Sequence, residues 1–163
     1  MKKMGMVVVV AAWCLASATL ARAGERKALP AFAVSASDGT AVESSALAVD
    51  ATWLFVYVQA QCDPCDALLA RIGGNERASA SRIVIVGAGM DSAAIAALAA
   101  KHPNLRASRW LADPARAAAA SLGVQAMPTV FGLRGASIEW RLAGTVRDNR
   151  ELDSILFTWL EQR

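Results

Sequence analysis

Val56-Tyr57-Val58-Gln59-Ala60-Gln61-Cys62-Asp63-Pro64-Cys65 is the stretch from which the rest of the chain can be read. It begins inside an apolar run, Trp53 to Val58, with the composition of a buried strand. The run stops at Gln59. After Cys65, apolar residues return at Leu68, Leu69 and Ile72; counted from Cys65 these are i+3, i+4 and i+7, one face of a helix. Gly73-Gly74 closes that helix. The two cysteines therefore stand where a buried strand passes into a helix. Cys62 falls at the helix N-terminus, where free N–H groups and the dipole favour a thiolate. Cys65 lies one turn in, at the head of the apolar stripe. An exposed attacking thiol and a shielded resolving thiol are the machinery of disulfide exchange.

A Cys-x-x-Cys pair has other readings. Half of a structural zinc site is one, but such a site needs four ligands. The chain holds three cysteines, Cys14, Cys62 and Cys65, and one histidine, His102. No metal is expected, and no cofactor beyond a redox-active Cys62–Cys65 disulfide. A plain structural disulfide is the other alternative.

The N-terminus reads as an export signal over residues 1–23. Met1-Lys2-Lys3 is a basic start, Gly5 to Ala16 is uncharged and apolar, and Ala21-Arg22-Ala23 is a small-x-small cleavage site. The competing reading is an uncleaved anchor, because the apolar run from Gly5 to Ala21 is just long enough to span a bilayer. Trp13 directly before Cys14 argues against a lipoprotein site. The expected location is periplasmic or otherwise exported, and membrane-anchored if the segment is retained. The whole chain has 17 Lys and Arg, 14 Asp and Glu, and a net charge of +3. Lys2, Lys3 and Arg22 supply all of that excess, so residues 24–163 are neutral overall. Nothing in that balance favours nucleic acid or an anionic membrane as partner. Residues 24–163 suffice for one domain with a proper core. Its two remaining cysteines suit a compartment where disulfides persist.

Ala31–Val34 and Ala41–Glu43 flank the Asp38-Gly39 turn signal and predict a small hairpin, after a loose polar segment at 24–29. Arg82 to Gly87 is a buried parallel strand, and Asp91 or Ser92 caps a helix reaching Lys101. Gly87-Ala88-Gly89 lacks the third glycine of a dinucleotide loop. Ser108–Ala112 predicts a strand. Asp113 predicts the cap of a helix from Pro114 to Leu122, closed by Gly123. Thr129–Leu133 and Ser137–Leu142 flank an Arg134-Gly135 turn, and an amphipathic helix follows Asp148. His102 reads as a helix C-cap, Trp110, Trp140 and Trp159 as core, and Arg141 and Arg147 as surface. The order implies an α/β domain whose mixed central sheet is covered by helices on both faces.

With these elements in place the chain resembles the exported thioredoxin-like proteins of the TlpA/ResA type, in the thioredoxin superfamily. Cys62-Asp63-Pro64-Cys65 after a buried strand carries the resemblance, with Asp38-Gly39 in an N-terminal hairpin. So do Leu111-Ala112-Asp113-Pro114 and Leu122-Gly123-Val124-Gln125-Ala126-Met127-Pro128-Thr129, and Gly144 after the last strand. The resemblance implies a thioredoxin fold with an N-terminal hairpin extension over residues 24–163. It implies a cis Pro128 against the disulfide, with Met127-Pro128 offering backbone to an extended substrate. It implies a monomer acting on disulfides of exported proteins and recharged by a membrane electron donor. Gln61, Asp63 and Pro64 are the supporting residues of the motif.

Three positions depart from the family pattern. Gln61 replaces a Trp before the first cysteine, Val56 replaces a buried Asp, and Leu68 replaces a Glu found in several cytochrome-maturation reductases. Asp63 is the nearby carboxylate that remains. No Lys, Arg or His lies between Val56 and Ala70 to offset Asp63 and Asp66, so a reducing pair is expected. The rival functions are a non-catalytic thioredoxin-fold scaffold of an envelope assembly and a copper chaperone. For the second, no nearby His or Met set is in view. A peroxidase would need a Thr before Cys62 at the peroxiredoxin spacing, which is absent.

Overall fold

A computed structural model describes residues 27–49, 51–75, 78–145 and 148–162. The expected signal segment, 1–23, and Arg147 lie outside the described residues. The first strands are β1 (Lys27–Ala28), β2 (Ala33–Ser35) and β3 (Ala41–Glu43). A 3-10 turn, Ser44–Leu47, leads to β4 (Thr52–Gln59) and α1 (Asp63–Gly73). Next come β5 (Ile83–Ala88), α2 (Ser92–Lys101), β6 (Arg109–Asp113) and α3 (Ala117–Leu122). The chain ends in the hairpin β7 (Thr129–Arg134) and β8 (Ser137–Ala143) and helix α4 (Asn149–Glu161).

These strands form one mixed sheet in the order β1-β8-β7-β4-β5-β6-β2-β3. β4, β5 and β6 are mutually parallel, and every other pairing is antiparallel. Side chains alternate across β4, as period two demands. Leu54, Val56 and Val58 face a core shared with α1, α2 and α4, while Trp53, Phe55 and Tyr57 face one shared with α3 and the N-terminal hairpin. Both faces are thus covered, the architecture expected from the alternation of elements. α1 packs through Leu68, Leu69 and Ile72, all buried. Each such side chain stabilises the fold by about 1.5–3 kcal/mol. Arg71 ties α1 to α4 through paired contacts with Asp153, both 2.6 Å, and Asp153 holds its guanidinium pKa above the ordinary value.

Two local expectations are corrected. Lys27 and Ala28, read as loose, pair with β8, and Leu29 N–H donates to Ala136 O at 2.8 Å. β8 would otherwise present an unpaired edge. α3 begins at Ala117 rather than Pro114, because Arg116 adopts a left-handed conformation, φ 55°. Asp113 still supplies the cap, reaching past that turn to Ala117 N and Ala118 N at 2.8 and 3.0 Å.

Candidate functional site

The parallel pairing of β4, β5 and β6 brings three strand ends, and the loops after them, to one edge of the sheet. β4 ends at Gln59 and passes through Gln61, left-handed at φ 54°, into Cys62. Cys62 is the N-cap of α1 with extended backbone, and its carbonyl accepts from Cys65 N and Asp66 N at 2.9 and 3.0 Å. Pro64 sits in the first turn, where its missing N–H costs no helical bond. The cysteines are joined, S–S 2.07 Å and Cα–Cα 5.2 Å. Cys62 Sγ accepts from Cys65 N at 3.2 Å, so one N–H of the first helical turn already faces the sulfur.

Cys62 is 8% exposed and Cys65 1%. Asp63 and Pro64 stand in solvent beside them. Behind Cys65 the wall is apolar, and Val56 and Leu68 belong to it. The Met127–Pro128 bond is cis, as the resemblance implied, and Pro128 O accepts from Gly144 N at 2.8 Å. Two openings flank the motif. One, about 210 Å³, is mainly apolar and lies between Pro64, Leu68, Pro128, Val130 and Leu142. The other, about 640 Å³, is lined by Gln61, Cys62, Asp63 and Pro64 on one side and by Arg116, Gln125 and Met127 on another. Gln61, Cys62, Asp63, Pro64, Met127 and Pro128 each border one of these two openings, and Cys65, bonded to Cys62, is buried.

Arg116 is the addition that sequence reasoning missed. It is exposed, and among the described residues its guanidinium has no hydrogen bond or ion pair. Gly89, at φ +65°, makes room for it: a Cβ there would stand 3.2 Å from Arg116 Nε. The loops after β5 and β6 are joined by Gly89 N to Asp113 O at 2.8 Å. Nothing local in the sequence marks Arg116 as a neighbour of Cys62.

Among the described residues one acid is buried, Asp113, at 1% exposure, but on the other face of the sheet from the cysteines. Tyr57 Oη donates to Asp113 Oδ2 at 2.7 Å. Burial, then that bond and the carboxylate's charge, push the Tyr57 hydroxyl pKa far above its usual value. His102 turns its ring toward α1, with Nε2 3.5 Å from Asp66 Oδ1, and stacks on Trp110. His102 is also the C-cap of α2, as the sequence reading expected, its backbone N–H donating to Ala99 O at 3.0 Å. Among the described residues no three His, Cys, Asp or Glu side chains gather into a metal-binding group.

No protein-family model matches the chain, and no curated protein matches its sequence. Solved structures do. A candidate thiol:disulfide interchange protein DsbE from Chlorobium tepidum superposes with TM-score 0.64 at 18% identity, covering 83% of this chain and 96% of that one. A secreted Mycobacterium tuberculosis disulfide oxidoreductase homologous to E. coli DsbE gives 0.60 at 18%, covering 76% and 92%. A thiol:disulfide interchange protein of the thioredoxin family from Chlorobium tepidum TLS gives 0.58 at 16%, covering 83% and 97%. The structural neighbours are thus DsbE-like proteins of the thioredoxin superfamily, and the fold of this chain is the thioredoxin fold.

Proposed function

We propose that this thioredoxin-fold chain is an exported thiol–disulfide oxidoreductase that reduces disulfides in other exported proteins. The observation that carries the reading is the Cys62–Cys65 disulfide at the start of α1, with Cys62 at the mouth of a cleft and Cys65 behind it. In the reduced form the Cys62 thiolate attacks one sulfur of a substrate disulfide. A bond forms to Cys62 Sγ, the substrate S–S bond breaks, and one substrate sulfur leaves as thiolate. The Cys65 thiolate then attacks Cys62 Sγ. The Cys62–Cys65 bond forms and the second substrate sulfur leaves, so two electrons have passed to the substrate. An external dithiol at the membrane returns those electrons by the same exchange in reverse.

Export rests on the composition of residues 1–23, and a neighbour described as secreted is consistent with it. The reducing direction rests on charge. Asp63 and Asp66 lie in the first turn of α1 and disfavour a thiolate at Cys62, which destabilises the reduced form and makes the pair more reducing. The α1 N-terminus and Arg116, which lines the same cleft, oppose them. The expected reduction potential is near thioredoxin's, about −270 mV, rather than that of the oxidant DsbA, about −120 mV.

The test is turbidimetric insulin reduction with dithiothreitol, alongside equilibration with glutathione. The wild type should accelerate insulin precipitation and Cys62→Ser should not. Cys65→Ser should accumulate mixed disulfides with exported proteins, because the second exchange is blocked. A wild type no faster than Cys62→Ser would leave a non-catalytic scaffold. A potential near DsbA's would reverse the direction of electron flow.

A further inference from the structure

The cleft beside Cys62 contains one positive charge, Arg116, set among amides. Gln59, Gln61 and Gln125 line the same cleft, whose volume is about 640 Å³. Three primary amides offer both donors and acceptors, as peptide groups require. Arg116 offers a planar fork of donors matched to a carboxylate. Asp63 also borders the cleft, but no ion pair joins it to Arg116 among the described residues. Gln61 and Arg116 are also the two non-glycine residues at positive φ among the described residues, 54° and 55°. The left-handed turn at Arg116 carries its side chain over Gly89 instead of into the first turn of α3. A conformation that costs free energy at both walls of one cleft is a constraint that general packing does not require.

Resting on the exchange chemistry proposed above, we infer that Arg116 selects the substrate: the cleft takes disulfides that carry a carboxylate close to the attacked sulfur. The carboxylate pairs with the Arg116 guanidinium, while the glutamine amides bind the flanking peptide-like groups. Covalent exchange is unchanged: Cys62 Sγ bonds to the near sulfur and the far one leaves with the electron pair. Arg116 takes no part in that step and acts by placing the disulfide at Cys62. Two sources offer this chemistry. One is an Asp or Glu flanking the cysteine of a protein substrate, and the other is a small disulfide such as oxidised glutathione.

Arg116 has an alternative task, balancing the buried charge of Asp113 through the Tyr57 neighbourhood, where its charge is felt. That task concerns folding and would not distinguish one disulfide from another. The experiment therefore reads a ratio. Reduced full-length protein is mixed by stopped flow with peptide disulfides of one length, flanked by Asp or by Lys, at low ionic strength. A charge pair in a partly open cleft predicts a preference for the Asp peptide of about three- to tenfold. Arg116→Asn, chosen because Asn tolerates the left-handed conformation, should bring the ratio close to one, and Arg116→Glu should invert it. Arg116→Lys should keep the preference at reduced strength. For the wild type, raising salt to 0.5 M should shrink the ratio without any substitution. Oxidised glutathione and the carboxylate-free disulfide cystamine decide the source. A glutathione preference that vanishes in Arg116→Asn assigns a small disulfide, and a preference seen with peptides alone assigns a protein. A wild-type ratio near one, a salt-independent ratio, or a ratio unchanged in Arg116→Asn overturns the inference and leaves the proposed function standing. No exchange with any disulfide overturns the proposed function itself.

Discussion

Tyr57 and Asp113 show how one polar pair is kept inside an apolar layer. The Asp113 carboxylate accepts from Tyr57 Oη, Ala117 N and Ala118 N, so its burial leaves no lone oxygen unpaired. Tyr57→Phe should cost about 1.5–3 kcal/mol, the range for a hydrogen bond to a charged group. Urea unfolding at pH 7 measures it. The pH dependence has a definite sign. Ionised Tyr57 is disfavoured in the folded chain, so above the ordinary tyrosine value of about 10 the unfolded chain releases that proton first. The contribution of Tyr57 to stability is whole below about pH 10 and is lost as pH rises toward the folded value, so Tyr57→Phe should flatten the alkaline decline. Asp63 gives a second expectation at this scale. It stands exposed beside Cys62, and Asp63→Asn removes a charge that disfavours the thiolate. The potential should become less negative by on the order of 30 mV, read by glutathione equilibration. An unchanged or more negative potential would mean that the Asp63 charge does not disfavour the thiolate at Cys62.

At the scale of the element, the β7–β8 hairpin depends on a close approach that the turn signal alone does not convey. Trp140 lies across Gly132, where a Cβ would come within 2.0 Å of Trp140 Cε2. The strand register shifts between Gly132 and Leu133 at the same place. Trp140 in turn meets Trp159 of α4 edge to face, ring centroids 5.7 Å apart. Gly132→Ala must displace the indole and should cost about 1–3 kcal/mol, as overpacking does. The double variant with Trp140→Ala should lose less than the sum of the two single losses, because Trp140→Ala removes the ring that the added methyl would displace. Equal sums in chemical unfolding would show that the indole is not held by this contact. α3 teaches the converse lesson. Asp113-Pro114 is a good helix-start signal, yet three residues of turn intervene, because Arg116 is left-handed and Asp113 is already committed to the sheet edge.

For the whole molecule the sheet edges matter most. β1 covers the start of β8 and β3 covers β2. Residues 24–163 carry no net charge to keep copies apart. A chain starting at Pro30 loses β1 and exposes the edge of β8. It should keep the fold and the Cys62–Cys65 pair but associate at lower concentrations than the longer chain, measured by sedimentation velocity. If the two chains associate alike, β1 is dispensable as an edge cover.

The sequence by itself determined the strand-to-helix junction at Cys62, the alternation of β4, the apolar stripes of α1 and α4, the Asp38-Gly39 hairpin and the glycine and proline stops. All of these are set by hydrogen bonds and burial periods that run a few residues along the chain. The apolar surroundings of Cys65 were legible too, because Val56 and Leu68 are simply the residues at those positions. Only the tertiary structure decided which distant groups meet at the motif. Lying side by side, β4, β5 and β6 bring the loop holding Arg116 to the edge where Cys62 emerges, and the stretch from Val56 to Ala70 contains no trace of that cation. The same holds for His102, drawn from the end of α2 to Asp66, and for Lys27 and Ala28, ordered by the open edge of β8. Charges and edge pairings act through space across strand neighbours, and strand order is a property of the packed sheet rather than of any local run of residues.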